Sequence, residues 1–160
     1  MNRCPICFER HHFKTIEFQT FARMDGMEIP YIGITYECDR CSVISSDAIE
    51  QINKENERRI AEVRRSNAGY YTAIQIKEIR EKYQMTAKEF AVILGIGVAS
   101  LKRYEAKGGQ WQSRSTENLL RLVDWNAECM LRCLECWANE IPEDRYCELR
   151  EHITKMIECA

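Results

Sequence analysis

The sequence predicts a mostly α protein with a small β zinc ribbon: an N-terminal four-cysteine zinc domain ahead of a C-terminal helix-turn-helix bundle. Three features predict it. Two Cys-x-x-Cys pairs, Cys4-Pro5-Ile6-Cys7 and Cys38-Asp39-Arg40-Cys41, have thirty residues between them. From Ala87 to Ala106, apolar residues recur at the period of two short helices, with a glycine between the two. Residues 72–115 hold eight Lys and Arg against four Asp and Glu, a local charge of +4 in a chain that carries −2. The expected organisation is a zinc-ribbon domain with a connecting helix over 1–68, a helix-turn-helix domain over 69–126, and a helical extension over 127–160.

The cysteines come first in the chain. Cys4, Cys7, Cys38 and Cys41 are spaced as the two knuckles of a tetrahedral four-thiolate site for one zinc ion. Four protein ligands leave no open position, so such a zinc is structural. Between the knuckles, Phe13 to Phe21 alternates loosely as a strand does, a turn falls at Asp25-Gly26, and a second strand runs from Met27 to Glu37. Pro30 inside that run points to an edge or a bulge. So small a sheet buries little, and the metal is expected to supply most of its folding free energy. A redox Cys-x-x-Cys would need a βαβ context, which is not visible. His11 and His12 are expected on the surface. Met1-Asn2-Arg3 leads straight into the first knuckle without a signal-peptide pattern, so a reducing, cytoplasmic setting is expected. There, an odd count of nine cysteines argues for metal binding and buried thiols over disulfides.

From Ser46 a helical pattern continues through Ile60 and Val63 to Arg65, with a narrow apolar stripe and dense charge that suit a half-exposed connector. Asn67-Ala68-Gly69 ends it. Thr72-Ala73-Ile74-Gln75 is a capping box opening a helix through Tyr83. Thr86-Ala87-Lys88-Glu89 is another, and it opens the first helix of the helix-turn-helix, with Phe90, Ala91 and Leu94 on one face. Gly95 sits at the turn, where a positive φ is cheap for a residue without Cβ. Val98, Leu101 and Tyr104 share the inner face of the second helix. That places Ala99, Ser100, Lys102 and Arg103 outward, as on a recognition helix in the major groove of double-stranded DNA. Arg103 suits guanine O6 and N7 through its planar fork, while Ser100, Lys102 and Arg114 suit phosphates. A helical hairpin inside an ordinary bundle is the alternative. Gly108-Gly109 closes the second helix, and Ser115 is the expected N-cap of a helix bearing Leu119, Leu122, Val123 and Trp125.

The remaining chain is acidic, with five Lys and Arg against ten Asp and Glu over 116–160, so it cannot meet phosphate. Cys129, Cys133, Cys136 and Trp137 fall on one helical face beside Met130 and Leu134, which reads as core packing or a helix contact more readily than as a second metal site. Ile141-Pro142 breaks the helix, and Tyr146, Leu149, Ile153, Met156 and Ile157 mark another that carries Cys147, His152 and Cys159. No apolar run approaches the ~20 residues of a membrane span. Three histidines without catalytic spacing, beside a coordinatively closed zinc, give no site for enzyme chemistry. The expected roles are a sequence-specific DNA-binding repressor or, from another class, a protein-interaction adaptor using the ribbon and the acidic helices.

CPIC, then CDRC, then a helix-turn-helix ending in LKRYE together resemble the MqsA-type antitoxins, regulators with a zinc ribbon and a Xre-like DNA-binding domain. The resemblance spans about residues 1–126 and has no counterpart for the chain from Ala127 onward. It implies a homodimer formed through the helical domain, repression of a palindromic operator, and a protein toxin bound by the N-terminal domain. By position it carries the zinc-ligand role to Cys4, Cys7, Cys38 and Cys41, and base contact to Arg103. Ala99 stands where that antitoxin offers an amide side chain, so the resemblance implies a different operator sequence.

Overall fold

The computed structural model describes residues 2–4, 7–8, 10–11, 13–24, 26–42, 44–45 and 50–159. Pro5, Ile6, His12, Asp25 and residues 46–49, on which parts of the sequence reading fall, lie outside them. The chain forms two compact units, Met1–Asn67 and Ala68–Ala160.

In the first unit, β1 (Asn2–Arg3) pairs antiparallel with β2 (Arg10–His11). A separate three-stranded sheet has the order β3 (Phe13–Met24), β4 (Met27–Cys38), β5 (Ile44–Ser45). β3 and β4 pair along their whole lengths, from Met24 opposite Met27 to Phe13 opposite Cys38. Two residues join them, and Gly26 takes a φ of +82°. In a two-residue hairpin the closing pair is hydrogen-bonded, and bonded pairs then alternate. Even-numbered residues of β3 and odd-numbered residues of β4 therefore bond one another, and the others turn their backbone groups outward. Asn56 confirms the parity by taking both the N–H and the C=O of Ile34, at 2.8 and 2.9 Å. Pro30 is an even position, so its missing N–H falls on the side away from β3. The strand runs through it unbroken, as an edge and not a bulge. α1 (Glu50–Asn67) packs on β4, and Ile34 and Ile52 with Tyr36 form a small core. The connecting helix is less exposed than its charge suggests, since Ile52 and Arg65 are fully buried and Arg65 lies 3.7 Å from Glu62.

The second unit is helical: α2 (Ala73–Lys82), α3 (Ala87–Ile93), α4 (Val98–Tyr104), α5 (Arg114–Trp125), α6 (Ala127–Cys136), a 3-10 turn (Ala138–Glu140) and α7 (Glu143–Glu158). Both capping boxes form with the expected partners, Thr72 with Gln75 and Thr86 with Glu89. α5 starts earlier than expected: Ser113, not Ser115, is its N-cap and accepts from Thr116 N at 3.1 Å. That start turns Thr116, Glu117, Leu120 and Val123 inward and leaves Leu122 and Trp125 exposed.

One core fills this unit. Phe90, Leu101 and Leu120 share it with Met130, Leu134, Ile141, Leu149 and Ile153, so the helices after residue 127 complete the core and do not stand apart from it. Cys129 and Cys133 pack against it half-buried, whereas Cys136, Cys147 and Cys159 are exposed, and core packing does not account for them. Arg145 of α7 pairs with Glu89 of α3 at 2.8 Å and donates to the Gln84 carbonyl, and His152 meets the Lys82 carbonyl at 3.0 Å. Arginine and histidine thus satisfy carbonyls freed at the end of α2.

Candidate metal centre and nucleic-acid interface

Both cysteine knuckles are built by the same turn. Phe8 N–H donates to the Cys4 carbonyl at 2.9 Å, and Ser42 N–H donates to the Cys38 carbonyl at 2.8 Å. Phe8 and Ser42 each adopt positive φ, 56° and 52°, the conformation that reverses the chain just after the second cysteine. The first cysteine of each knuckle is buried and the second partly so. All four sulfurs lie within 4.8 Å of one another. Cys4 Sγ is 3.7 Å from Cys41 Sγ, and Cys7 Sγ is 3.9 Å from Cys38 Sγ.

Those distances test the fit. Zinc–sulfur bonds of about 2.3 Å in a tetrahedron put the sulfurs about 3.8 Å apart, whereas a disulfide holds them at about 2.05 Å. The spacing matches a four-thiolate cage, and none of the four cysteines is in a disulfide. The Cys41 N–H, followed by that of Arg40, outweighs burial and lowers the Cys38 thiol to about 6. The four cysteines can therefore hold one metal ion, and the donor set is compatible with zinc. With every ligand position taken by sulfur, such an ion holds the knuckles together and offers no site for a reacting water.

The helix-turn-helix is α3, a tight turn and α4. Gly95 turns the chain with φ +63°, and Ile96 N–H bonds the Ala91 carbonyl at 2.9 Å. Phe90, Ala91, Leu94 and Leu101 are buried, and Val98 and Tyr104 pack partly buried against the same core. Ala99, Lys102 and Arg103 are exposed on α4, Ser100 is partly buried, and Arg114 is exposed as the first residue of α5. Arg103 Nη2 donates to Ser100 Oγ at 3.2 Å, which orients the guanidinium and ties these two side chains together on one turn of helix.

Sequence reasoning missed what holds α4 in place. Glu105 caps its C-terminal end and receives a two-point pair from Arg80 of α2, Nε at 2.7 Å and Nη2 at 3.1 Å. Arg80 Nη1 also donates to the Met85 carbonyl at 3.0 Å, in the turn before α3. Pairing with Glu105 and Glu81 outweighs burial and holds the Arg80 guanidinium further above its ordinary value. Gly109 is required sterically, because a Cβ there would lie 2.2 Å from the Arg103 carbonyl and 2.7 Å from that of Ala106. A second set secures the start of the unit: buried Glu117 accepts from Tyr71 N–H at 3.1 Å, from Arg121 at 2.7 Å and from the Gln112 amide. These partners are far apart in sequence, and only the Gly108-Gly109 pair gave a local signal.

Among the described residues, no helix is long and apolar enough to cross a membrane. No curated protein and no solved structure matches the chain. One family does: the antitoxin component of the bacterial toxin-antitoxin system, MqsA, whose model matches residues 2–131 and so takes in the cysteine cage, the helix-turn-helix and the start of α6. With the match running over most of the chain, in the order cage then helix-turn-helix, the chain belongs to the MqsA antitoxin family.

Proposed function

We propose that the chain is the DNA-binding antitoxin of a bacterial toxin-antitoxin pair: a cytoplasmic, non-enzymatic homodimer that represses a palindromic operator and carries one structural zinc on Cys4, Cys7, Cys38 and Cys41. Membership of the family implies a toxin as partner, and in this reading the N-terminal unit carries the surface that meets it. The observation that supports operator binding best is the capped helix-turn-helix presenting Lys102 and Arg103 to solvent, within the segment 72–115 that carries a charge of +4.

In this reading Arg103 contacts a guanine, held on line by Ser100, while Ser100, Lys102 and Arg114 position the phosphates. Ala99 offers only a methyl group, suited to a thymine methyl or to close approach. Two copies meet through the outer face of α5, where Leu122 and Trp125 are 54% and 71% exposed, and so place two recognition helices one turn of duplex (~34 Å) apart.

Titration of cognate and scrambled duplexes at two salt concentrations tests the reading. Arg103→Ala should cost ~1–3 kcal/mol on the cognate duplex and relax preference at one base pair of each half-site. Lys102→Ala should weaken both duplexes alike and lower the salt slope by about one. Equal loss on both duplexes for Arg103→Ala makes it a phosphate contact. A wild-type chain without any preference refutes operator reading and leaves the adaptor role.

A further inference from the structure

The β3–β4 hairpin has two long edges, and the fold treats them differently. On β4, the outward backbone side is largely covered by β5 and by side chains of α1. Tyr36 lies opposite Ser45 of β5. Ile34 is bonded through both backbone groups to Asn56, and the Ile32 carbonyl accepts from Arg59 at 3.0 Å. Pro30 has no N–H to offer. β3, in contrast, is the end strand of its sheet. Thr15, Glu17, Gln19 and Phe21 are its odd positions, so their N–H and C=O groups point away from β4. Among the described residues no strand or helix pairs with that side over the 12-residue length of β3.

The side chains along this edge are also placed for contact. Phe21 is 61% exposed, with exposed Ile32 diagonally beside it on one face of the hairpin. Phe18 is exposed on the opposite face. An added strand would find an aromatic ring on either side of the edge. Long, unblunted edges are templates for another strand, and strand addition is a recurring way of binding protein partners. Resting on the antitoxin reading above, we infer that the toxin docks by adding an extended strand of its own to the free edge of β3, with its alternate side chains against Phe18 on one face and Phe21 and Ile32 on the other.

The test uses the full chain and the purified product of the reading frame adjacent to its gene, titrated calorimetrically. Gln19→Pro removes one outward N–H without touching the β3–β4 ladder, so the variant should keep its metal and bind at least tenfold more weakly. Phe21→Glu, at an exposed site, should weaken binding by a similar factor. Ile74→Glu, at an exposed apolar residue of α2, should change it less than twofold. Should Gln19→Pro lose its metal, Phe21→Glu decides alone. Wild-type affinity in both edge variants overturns the docking edge while leaving the antitoxin reading standing. No binding by the wild type overturns both. Self-association of the wild-type chain that both edge variants abolish makes the occupant a second copy and overturns the toxin as occupant.

Discussion

Arg80→Ala should strongly destabilise the helical unit, although Arg80 touches neither DNA nor partner in the proposed function. Its guanidinium makes three bonds: two to Glu105, the residue that ends the recognition helix, and one to the Met85 carbonyl. The two charged side chains are only 14% and 13% exposed, so the pair is closer to buried than to surface. Exposed pairs are worth about 0–1 kcal/mol, whereas removing one member of a buried pair costs about 3–5 kcal/mol. The Met85 carbonyl also loses its donor. A cost of about 3 kcal/mol follows, which for a unit of this size lowers Tm by roughly 12–24 °C. Arg80→Lys should recover only part of that, about 1 kcal/mol, because an ammonium cannot pair with both carboxylate oxygens and reach Met85 as well. Urea unfolding followed by circular dichroism measures the loss, and a double-mutant cycle with Glu105→Gln isolates the pair. A cost under 1 kcal/mol, or a coupling energy near zero, would refute the argument that this pair holds α4 in place.

Four further outcomes are expected. Cys38→Ser should lose the bound metal and unfold the sheet of the first unit while the helical unit melts as before, since the two have separate cores; metal analysis and thermal melts check both halves. Gly109→Ala should cost about 2–3 kcal/mol, because the atoms its Cβ would strike are the backbone carbonyls of Arg103 and Ala106 and not a flexible side chain, and equilibrium unfolding reads it. Burial raises the Glu89 carboxyl, but Arg145 and the capping contact with Thr86 outweigh it, so its folded pKa lies below the ordinary 4.5. A depressed carboxylate contributes stability above its unfolded pKa and loses it as pH falls through the folded value; wild type should therefore lose stability below pH 4.5 more steeply than Glu89→Gln, as urea midpoints against pH will show. Trp125→Glu should give a monomer by sedimentation and weaken operator binding, because single half-sites then bind alone.

What the sequence made legible was local. The two capping boxes, the positive-φ glycine at the turn and the inner face of the helix-turn-helix all depend on residues within a few positions of one another. The cysteine knuckles could be read for a different reason: four thiols at that spacing have few uses, and the sulfur distances of 3.7 and 3.9 Å agree with the expected cage. The start of α5 was not decidable locally, because Ser113 and Ser115 are both good N-caps two residues apart. Burial chose between them: the earlier start lets Glu117 reach Tyr71, Gln112 and Arg121. The Arg80–Glu105 and Arg145–Glu89 pairs were out of reach for a related reason, since charged residues are common and no spacing rule matches partners 25 and 56 residues apart.

Pro30 marks the boundary between what pattern and geometry each decide. Its presence in a strand run says that one N–H is missing from the ladder, but not on which side. Parity settles that only when the register is known, and the register follows from the two residues between Met24 and Met27. A slip of one residue in that register would place the missing N–H against β3 and break the ladder in its distal half. The actual loop puts it on the outer side, in line with the positions that Arg59, Asn56 and β5 occupy. The turn therefore sets the Pro30 gap on the edge that α1 and β5 cover, and the other edge carries Phe18 and Phe21. A turn variant that slips the register should thus cost the sheet more than loop entropy, because the Pro30 gap would fall inside the β3–β4 ladder and Asn56 would lose both backbone groups of Ile34.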